Sequence, residues 1–410
     1  MSGEANSLRV AIAGAGPAGA ALAFLLARRG IAVTLVERQS DFAREFRGEG
    51  LMPGGVEALA QMGLGAELES LPQARIRDLD VYLNGRHRLH IDASALPAGT
   101  PLPRFVSQPA LLEMLVAQAG KHAGFELLRG ATVRDVTQAA GRVVGLRVDG
   151  PAGPRELAAD FVIACDGRAS LVRKRVGLER RRDAQAFDVV WCKFPLPEFM
   201  RARVRGCVGR GHFAIVFEAP DGLLQLGWAI EKGSYGDIRH GGVEHWIEQL
   251  AQNLPADLAA WIRAHAAEVT HPFLLDVVCD HLDVWSAPGV LLLGDAAHPM
   301  SPVGAQGINI ALRDAVVAAN HLGPPLLRGA SADELDRAAR AIVSERLPEV
   351  KEIQTLQRNA PRVLFQRTLG ARLLMATVVP LALRTGLAAL ALRSVFPRFA
   401  RGTTRVSLEF

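Results

Sequence analysis

The stretch VAIAGAGPAGAALAFLLARRGIAVTLVER, Val10 to Arg38, constrains the fold more than any other part of the chain. Leu8, Val10 and Ile12 open an apolar run of the kind that forms a buried parallel strand. Gly14, Gly16 and Gly19 follow at G-x-G-x-x-G spacing. Gly14 permits a tight turn, Gly16 lets a pyrophosphate approach the backbone, and Gly19 lets the next helix pack close to the strand. That helix, expected over 17–29 and opening with Pro17 and Ala18, aims its first N–H groups at the pyrophosphate. Gly30 suits its C-cap. A second apolar strand ends at Glu37 and Arg38, where an acid can hold a ribose diol. An adenine dinucleotide is the expected ligand, and this motif alone does not say which.

Two further motifs narrow the choice. ADFVIACDGRASLVRKRVGL is an apolar strand ending at Asp166-Gly167, then a helix carrying Arg173. GVLLLGDAAHPMSPVGAQGINIALRDAVVAANHL is a buried strand, Gly294-Asp295, a loop with Pro299 and Pro302, and a long helix opened by Gly304 and Gly307. In this order the three stretches resemble the para-hydroxybenzoate hydroxylase-like, group A FAD-dependent aromatic monooxygenases, from about Leu8 to about Phe365.

The resemblance implies an α/β fold: a Rossmann-like FAD-binding domain of the glutathione-reductase type, an inserted antiparallel sheet for the substrate, and a C-terminal helical segment. The expected division is 1–75, 103–182 and 283–366 for the FAD-binding domain, 76–102 and 183–282 for the substrate sheet and its domain, and 367–410 for the tail. It assigns Glu37 to the adenosine ribose, Asp295 to the ribityl chain, and the backbone around Gly307, Ile308 and Asn309 to the flavin edge. A helix N-terminus there would stabilise an anionic reduced flavin. Arg47 maps to a loop near the FAD phosphates and the pyridine nucleotide, and Gln108 to a helix start contacting FAD. By pattern alone Asp295 could instead be a helix N-cap, Arg47 a solvated loop residue and Gln108 a cap. Asp166 and Arg173 carry over as contacts to FAD and to NAD(P)H. Arg175, Arg180, Arg181 and Arg182 extend that cluster, though such runs are more often solvated faces.

The implied chemistry is NAD(P)H reduction of the flavin, O2 uptake to a C4a-hydroperoxide, and hydroxylation or epoxidation of an apolar aromatic or polycyclic molecule. No second G-x-G-x-x-G stands in a strand–helix context, so NADPH or NADH is expected as a transient co-substrate. The Pro302 carbonyl is a candidate acceptor near substrate and flavin. His298 is a candidate acid or base, with a structural hydrogen-bonding role the favoured alternative. A flavin-dependent reductase of an isoprenoid lipid and a non-enzymatic FAD redox sensor are the competing readings.

GHFAIVFEAPDGLLQLGWAI holds two apolar runs around Pro220-Asp221-Gly222, a hairpin signal. Val216, Phe217, Gln225 and Trp228 are candidate substrate-lining residues, although alternation does not tell which face is inward. Net charge is +5 and only 6% of residues are aromatic, with no dense basic stripe, so nucleic acid is not an expected partner. Cys165, Cys192, Cys207 and Cys279 stand at no metal or CxxC spacing, so no metal site is expected. The N-terminus reads without a signal peptide, which suggests a cytoplasmic enzyme. The tail over 367–401 interleaves apolar segments with Arg372, Arg384, Arg393, Arg398 and Arg401. Helices packed on the FAD domain or on a second subunit are expected there, with peripheral membrane contact the sharper alternative. Monomer and homodimer both remain open.

Overall fold

The structure, a computed structural model, describes residues 8–43, 49–92, 101–181, 185–209, 212–364 (side chains to 359), 400–410 and the single positions 370, 377 and 398. β1 (Arg9–Ala13), α1 (Pro17–Ala27) and β2 (Ala32–Glu37) form the expected strand–helix–strand unit. α1 is buried from Ala18 to Ala27, as its alanine-rich sequence allows, and Gly30 takes the left-handed conformation just beyond it, at φ 84°. β3 (Gly50–Leu51), α2 (Pro53–Gln61), α3 (Gly65–Ser70) and β4 (Gln73–Arg75) follow. β5 (Asp78–Leu83) and β6 (Arg86–Asp92) turn on Asn84-Gly85, both left-handed, as a tight hairpin demands.

The chain returns through β7 (Arg104–Val106), α4 (Gln108–Ala119) and β8 (Phe125–Arg129). An antiparallel meander, β9 (Thr132–Ala139), β10 (Arg142–Gly150) and β11 (Gly153–Ala158), precedes β12 (Phe161–Ala164) and α5 (Leu171–Arg175). The second layer holds β13 (Phe187–Pro195), β14 (Arg203–Gly209), β15 (His212–Glu218), β16 (Leu223–Glu231), α6 (Tyr235–His240), α7 (Gly242–Ala251), α8 (Ala256–Ala264) and β17 (Phe273–Leu275). β18 (Ser286–Ala287), β19 (Val290–Leu292), α9 (Gln306–Leu327) and α10 (Ala332–Leu364) close the first layer.

The cofactor-type sheet runs β18-β19-β12-β1-β2-β8, parallel except for β18 at its edge. Its core packs α1, α4 and α9 against the strands. The substrate-type sheet runs β17-β13-β16-β15-β14-β5-β6, antiparallel except where β14 meets β5. β3, β7 and β4 form a short sheet between the two.

The end of the tail departs from the helical expectation. Gly402 is left-handed (φ 84°), and residues 402–410 run on without helix as a strap across α2 and α9. Leu408 N donates to Gln61 Oε1 (2.7 Å), and Asn320 Oδ1 accepts from Glu409 N (2.9 Å). The Phe410 ring packs where Gly323 has no side chain, with the Arg29 guanidinium 5.1 Å from its centre. Arg372, Arg384 and Arg393 lie outside the described residues. Among the described residues no helix is long and apolar enough to cross a membrane.

Candidate active site

The three motifs converge at the ends of neighbouring strands. Gly14 N donates to Val36 O at 2.7 Å, and Cys165 N donates to Ala13 O at 2.7 Å. A β-carbon on Gly14 would stand 2.4 Å from Cys165 O, and one on Gly19 would stand 2.0 Å from Gly14 O. Gly294 approaches α1 so closely that its β-carbon would meet the Ala18 methyl at 3.3 Å. Packing within the chain therefore requires Gly14 and Gly19. Gly16 is different: a β-carbon there would enter open space. Its bareness serves something other than the chain, which suits a pyrophosphate. Glu37 is buried and accepts from Ala15 N (3.0 Å) and Gln39 N (3.1 Å), so its carboxylate is tethered over the glycine turn. Arg38 beside it is exposed.

The second corner is built around Asp166. Its Oδ2 accepts from Leu171 N (2.7 Å) and Val172 N (3.2 Å) at the start of α5. Its Oδ1 is buried without a hydrogen-bond partner. Burial pushes this carboxyl above its usual range. Arg173 is turned inward, only 2% exposed, donating to Ala296 O (2.9 Å) and Arg168 O (3.2 Å). It braces the Asp295 loop instead of facing solvent, where a transient nucleotide would meet it. Arg168, which sequence reasoning missed, holds the half-exposed place between the two motifs, its Nε 3.2 Å from Asp295 Oδ2. The arginine run is paired off: Arg175 with Asp135, Arg180 with Asp280, Arg181 with Asp283. Arg182 and Arg47 lie outside the described residues.

Asp295 does not cap α9, whose N-cap is Ala305. Between them the loop turns sharply. Gly304 (φ 75°) and Ala305 (φ 52°) are consecutive left-handed residues, a strained arrangement for the alanine. The Pro302 carbonyl accepts from Ala305 N (3.1 Å), so one of its lone pairs closes this turn instead of facing a ligand. Gly307 is exposed with open space beside it, on the first turn of α9. Asn309 is buried: its side chain accepts from Met52 N (2.9 Å) and donates to Gly50 O (3.1 Å), pinning β3 to α9, while Ile308 packs in the core. Gln108 is the half-buried first residue of α4, but Ser107 supplies the cap by accepting from Ala110 N (3.4 Å).

His298 sits behind the loop, 2% exposed, with Nε2 2.7 Å from Asp314 Oδ2 and its ring 4.8 Å from that of Trp285. Asp314 also accepts from Gly294 N (3.2 Å) and Arg346 Nε (2.8 Å). Arg346 continues to Glu349, which Arg313 reaches at 2.7 Å. Glu349 in turn accepts from Thr403 N (2.9 Å) in the strap. Burial alone would raise the Asp314 carboxyl, but the charges of His298 and Arg346 outweigh it and hold it low. His298 thus occupies a buried framework joining the loop, α9, α10 and the C-terminus.

Strand alternation divides the substrate-lining candidates. Val216 and Trp228 face α7 and α8, in the core between sheet and helices. They are corrected out of the cavity-lining set: both strands read as continuously apolar because both faces are covered. Phe217 lies on the opposite face with Phe105, Trp191, Val204 and Val303. Gln225 pairs directly with Phe217 and shares that face. Away from it, Asp80 lies between His87 and His90 (2.9 Å each), a grouping the sequence did not suggest. Arg203 takes the other Asp80 oxygen at 3.1 Å, which disfavours a cation there.

An open Gly16, an acid tethered at the end of β2, an unpartnered buried Asp166 oxygen, Asp295 and the open first turn of α9 fit a flavin dinucleotide laid across the strand ends. The FAD binding domain family model matches residues 7–354. The chain belongs to the FAD binding domain family. Similar curated proteins include the 6-methylpretetramide 4-monooxygenase of Streptomyces rimosus, 33% identical over 96% of this chain and 92% of the relative. The protoasukamycin 4-monooxygenase of Streptomyces nodosus subsp. asukaensis is 28% identical over 85% of this chain and 86% of the relative. Among solved structures, P. aeruginosa PqsL in complex with 2-aminobenzoylacetate aligns with a TM-score of 0.78 at 23% identity, covering 88% of this chain and 98% of PqsL. The p-nitrophenol 4-monooxygenase PnpA of Pseudomonas putida DLL-E4 aligns at 0.80 and 21%, covering 97% of this chain and 98% of PnpA. This FAD binding domain protein is an FAD-dependent monooxygenase, with NAD(P)H as electron donor and O2 as oxidant.

Proposed function

We propose that the enzyme hydroxylates a polycyclic aromatic molecule bound between the loop over Pro302–Ala305 and the Phe217 face of the substrate sheet. The observation carrying this reading is the aromatic cluster on that face. Phe105 and Phe217 stack with centroids 3.6 Å apart, and Trp191 meets Phe217 edge-on at 6.1 Å. Phe105 belongs to β7, next to Gly50, and Gly50 sits against Ala305 of the strained loop. Flat apolar rings suit such a wall. The curated relatives named above act, by their names, on 6-methylpretetramide and protoasukamycin.

In the proposed mechanism Gly16, Glu37 and Asp295 anchor FAD, and Arg173 and Asn309 keep the two loops beside it in register. When bound, FAD supplies the redox chemistry that joins NAD(P)H to O2. The balance is ArH + NAD(P)H + H⁺ + O2 → ArOH + NAD(P)⁺ + H2O. The aromatic wall excludes water, and the α9 N-terminus offers positive potential where negative charge develops. The reading is tested by NAD(P)H oxidation on addition of polycyclic phenols. Stimulation with a hydroxylated product supports it; no stimulation or hydroxylation across the panel, by a flavin-loaded protein, overturns it.

A further inference from the structure

One polar patch on the aromatic face is unused by the mechanism above. Glu49 precedes β3, and its backbone is fixed by Val106 N donating to Glu49 O at 2.8 Å. The Glu49 Oε2 atom is buried with no hydrogen-bond partner. The Gln225 Oε1 atom, on a residue 1% exposed, is equally unpartnered. Lys193 pairs with Gln225 across β13 and β16, and Gln225 pairs with Phe217 across β16 and β15. The Lys193 and Gln225 side chains therefore share the face that carries Trp191 and Phe217, and Glu49 adjoins that face through the next residue, Gly50, which pairs with Phe105 of the Phe105–Phe217 stack. Lys193 Nζ reaches Asp221 Oδ2 at 2.5 Å, and both charges act on Glu49.

Two buried acceptors without donors call for a ligand that brings donors, since an unmet buried acceptor costs about 1–3 kcal/mol. A carboxylate ligand would add a third acceptor, whereas a ring hydroxyl brings a donor for Glu49, and the Gln225 amide meets the hydroxyl oxygen by turning its NH2 group toward it. We propose that Glu49 is the base that takes the hydroxyl proton of a phenolic substrate, with Gln225 and Lys193 around the same oxygen. This inference rests on the hydroxylase reading. The substrate O–H bond breaks, an O–H bond forms on Glu49, and the electron pair stays on the substrate oxygen as an aryloxide. The Lys193 ammonium offsets that charge, and Glu49 later passes the proton to water. An aryloxide enriches the ring carbons ortho and para to it, which prepares them to attack an electrophilic oxygen.

The electrostatics suit the role. Burial pushes the Glu49 carboxyl up to about 7; Lys193 opposes the shift and Asp221 adds to it. A base poised near neutral pH is well matched to proton transfer.

The test uses the FAD-loaded protein without NAD(P)H, so that no turnover occurs. β-Naphthol and its methyl ether are titrated into wild type, Glu49→Gln and Glu49→Asp across the pH range around 7. For wild type, naphthol binding should weaken about tenfold for each pH unit below 7, as Glu49 takes up its own proton and ceases to accept. The methyl ether should bind without this dependence. Glu49→Gln, shown folded by its flavin spectrum, should lose the pH dependence, and Glu49→Asp should keep it at lower affinity. The same pH dependence in wild type and Glu49→Gln, or none in wild type, would overturn the proposal. A flavin-loaded wild type that shows this binding profile but no hydroxylation would instead overturn the hydroxylase reading and leave the Glu49 proton-accepting site standing.

Discussion

Phe105 and Phe217 stack 3.6 Å apart and 9° from parallel, joining β7 of the small bridging sheet to β15 of the substrate sheet. The pair fixes the proposed substrate wall relative to the strained loop that Gly50 touches. Phe217→Ala should cost about 3 kcal/mol of stability. It should also raise the KM for an aromatic substrate about tenfold, with FAD affinity little changed. Denaturant unfolding and steady-state kinetics read the two effects separately. Unchanged KM would place the substrate elsewhere.

The glycines of the first turn should separate by function. Gly19→Ala puts a methyl 2.0 Å from Gly14 O and should prevent folding. Gly16→Val meets open space in the protein, so thermal unfolding of the apoprotein should stay near wild type while FAD affinity falls at least about tenfold. A Gly16→Val protein that retains full flavin absorbance would contradict the placement of the pyrophosphate.

The buried charges behind the loop give a pH signature. Asp314 and Glu349 are both held below the usual carboxylate range: burial acts to raise each, and the neighbouring cations outweigh it. Their stabilisation is full above the unfolded values near pH 4 and is lost as pH falls through the lower folded values. Asp314→Asn should reduce that acid-side slope. At neutral pH it should cost about 3 kcal/mol, because Arg346 is left buried without one of its partners. Turnover per bound FAD should change far less than stability. A large loss of turnover at unchanged stability would return His298, through Asp314, to the chemistry.

The strap should act through the same network. Arg313 donates to Thr404 O at 2.6 Å, and a β-carbon on Gly402 would stand 2.1 Å from Glu349 Oε1. Phe410→Ala should cost about 3 kcal/mol, and deletion of 402–410 should weaken FAD binding as α9 loosens. Calorimetry with flavin titration checks both, and wild-type melting after the deletion would contradict the packing.

Much of the cofactor corner was legible in the sequence because backbones meet there at distances that admit only glycine, and glycine leaves a visible trace. Gly14 and Gly19 are such places. The substrate wall was less legible. Val216 and Phe217 are adjacent and both apolar, yet one packs on helices and the other on an aromatic wall. No period marks the difference when both faces of a sheet are covered. The partners of His298 were also hidden, since Asp314 lies on α9 and Arg346 and Glu349 on α10, and only folding brings them together. Arg168 and Glu49 were missed because each is an ordinary charged loop residue until its neighbours are placed around it.

The most direct measurement is the origin of the oxygen in the product. FAD-loaded enzyme, NAD(P)H and a polycyclic phenol should be incubated under isotopically heavy O2, and the product analysed by mass spectrometry. One heavy oxygen atom per hydroxylated product is the expected result. A product whose new oxygen comes from water, or one that is oxidised or reduced with no added oxygen, would contradict the assignment of this site to monooxygenation.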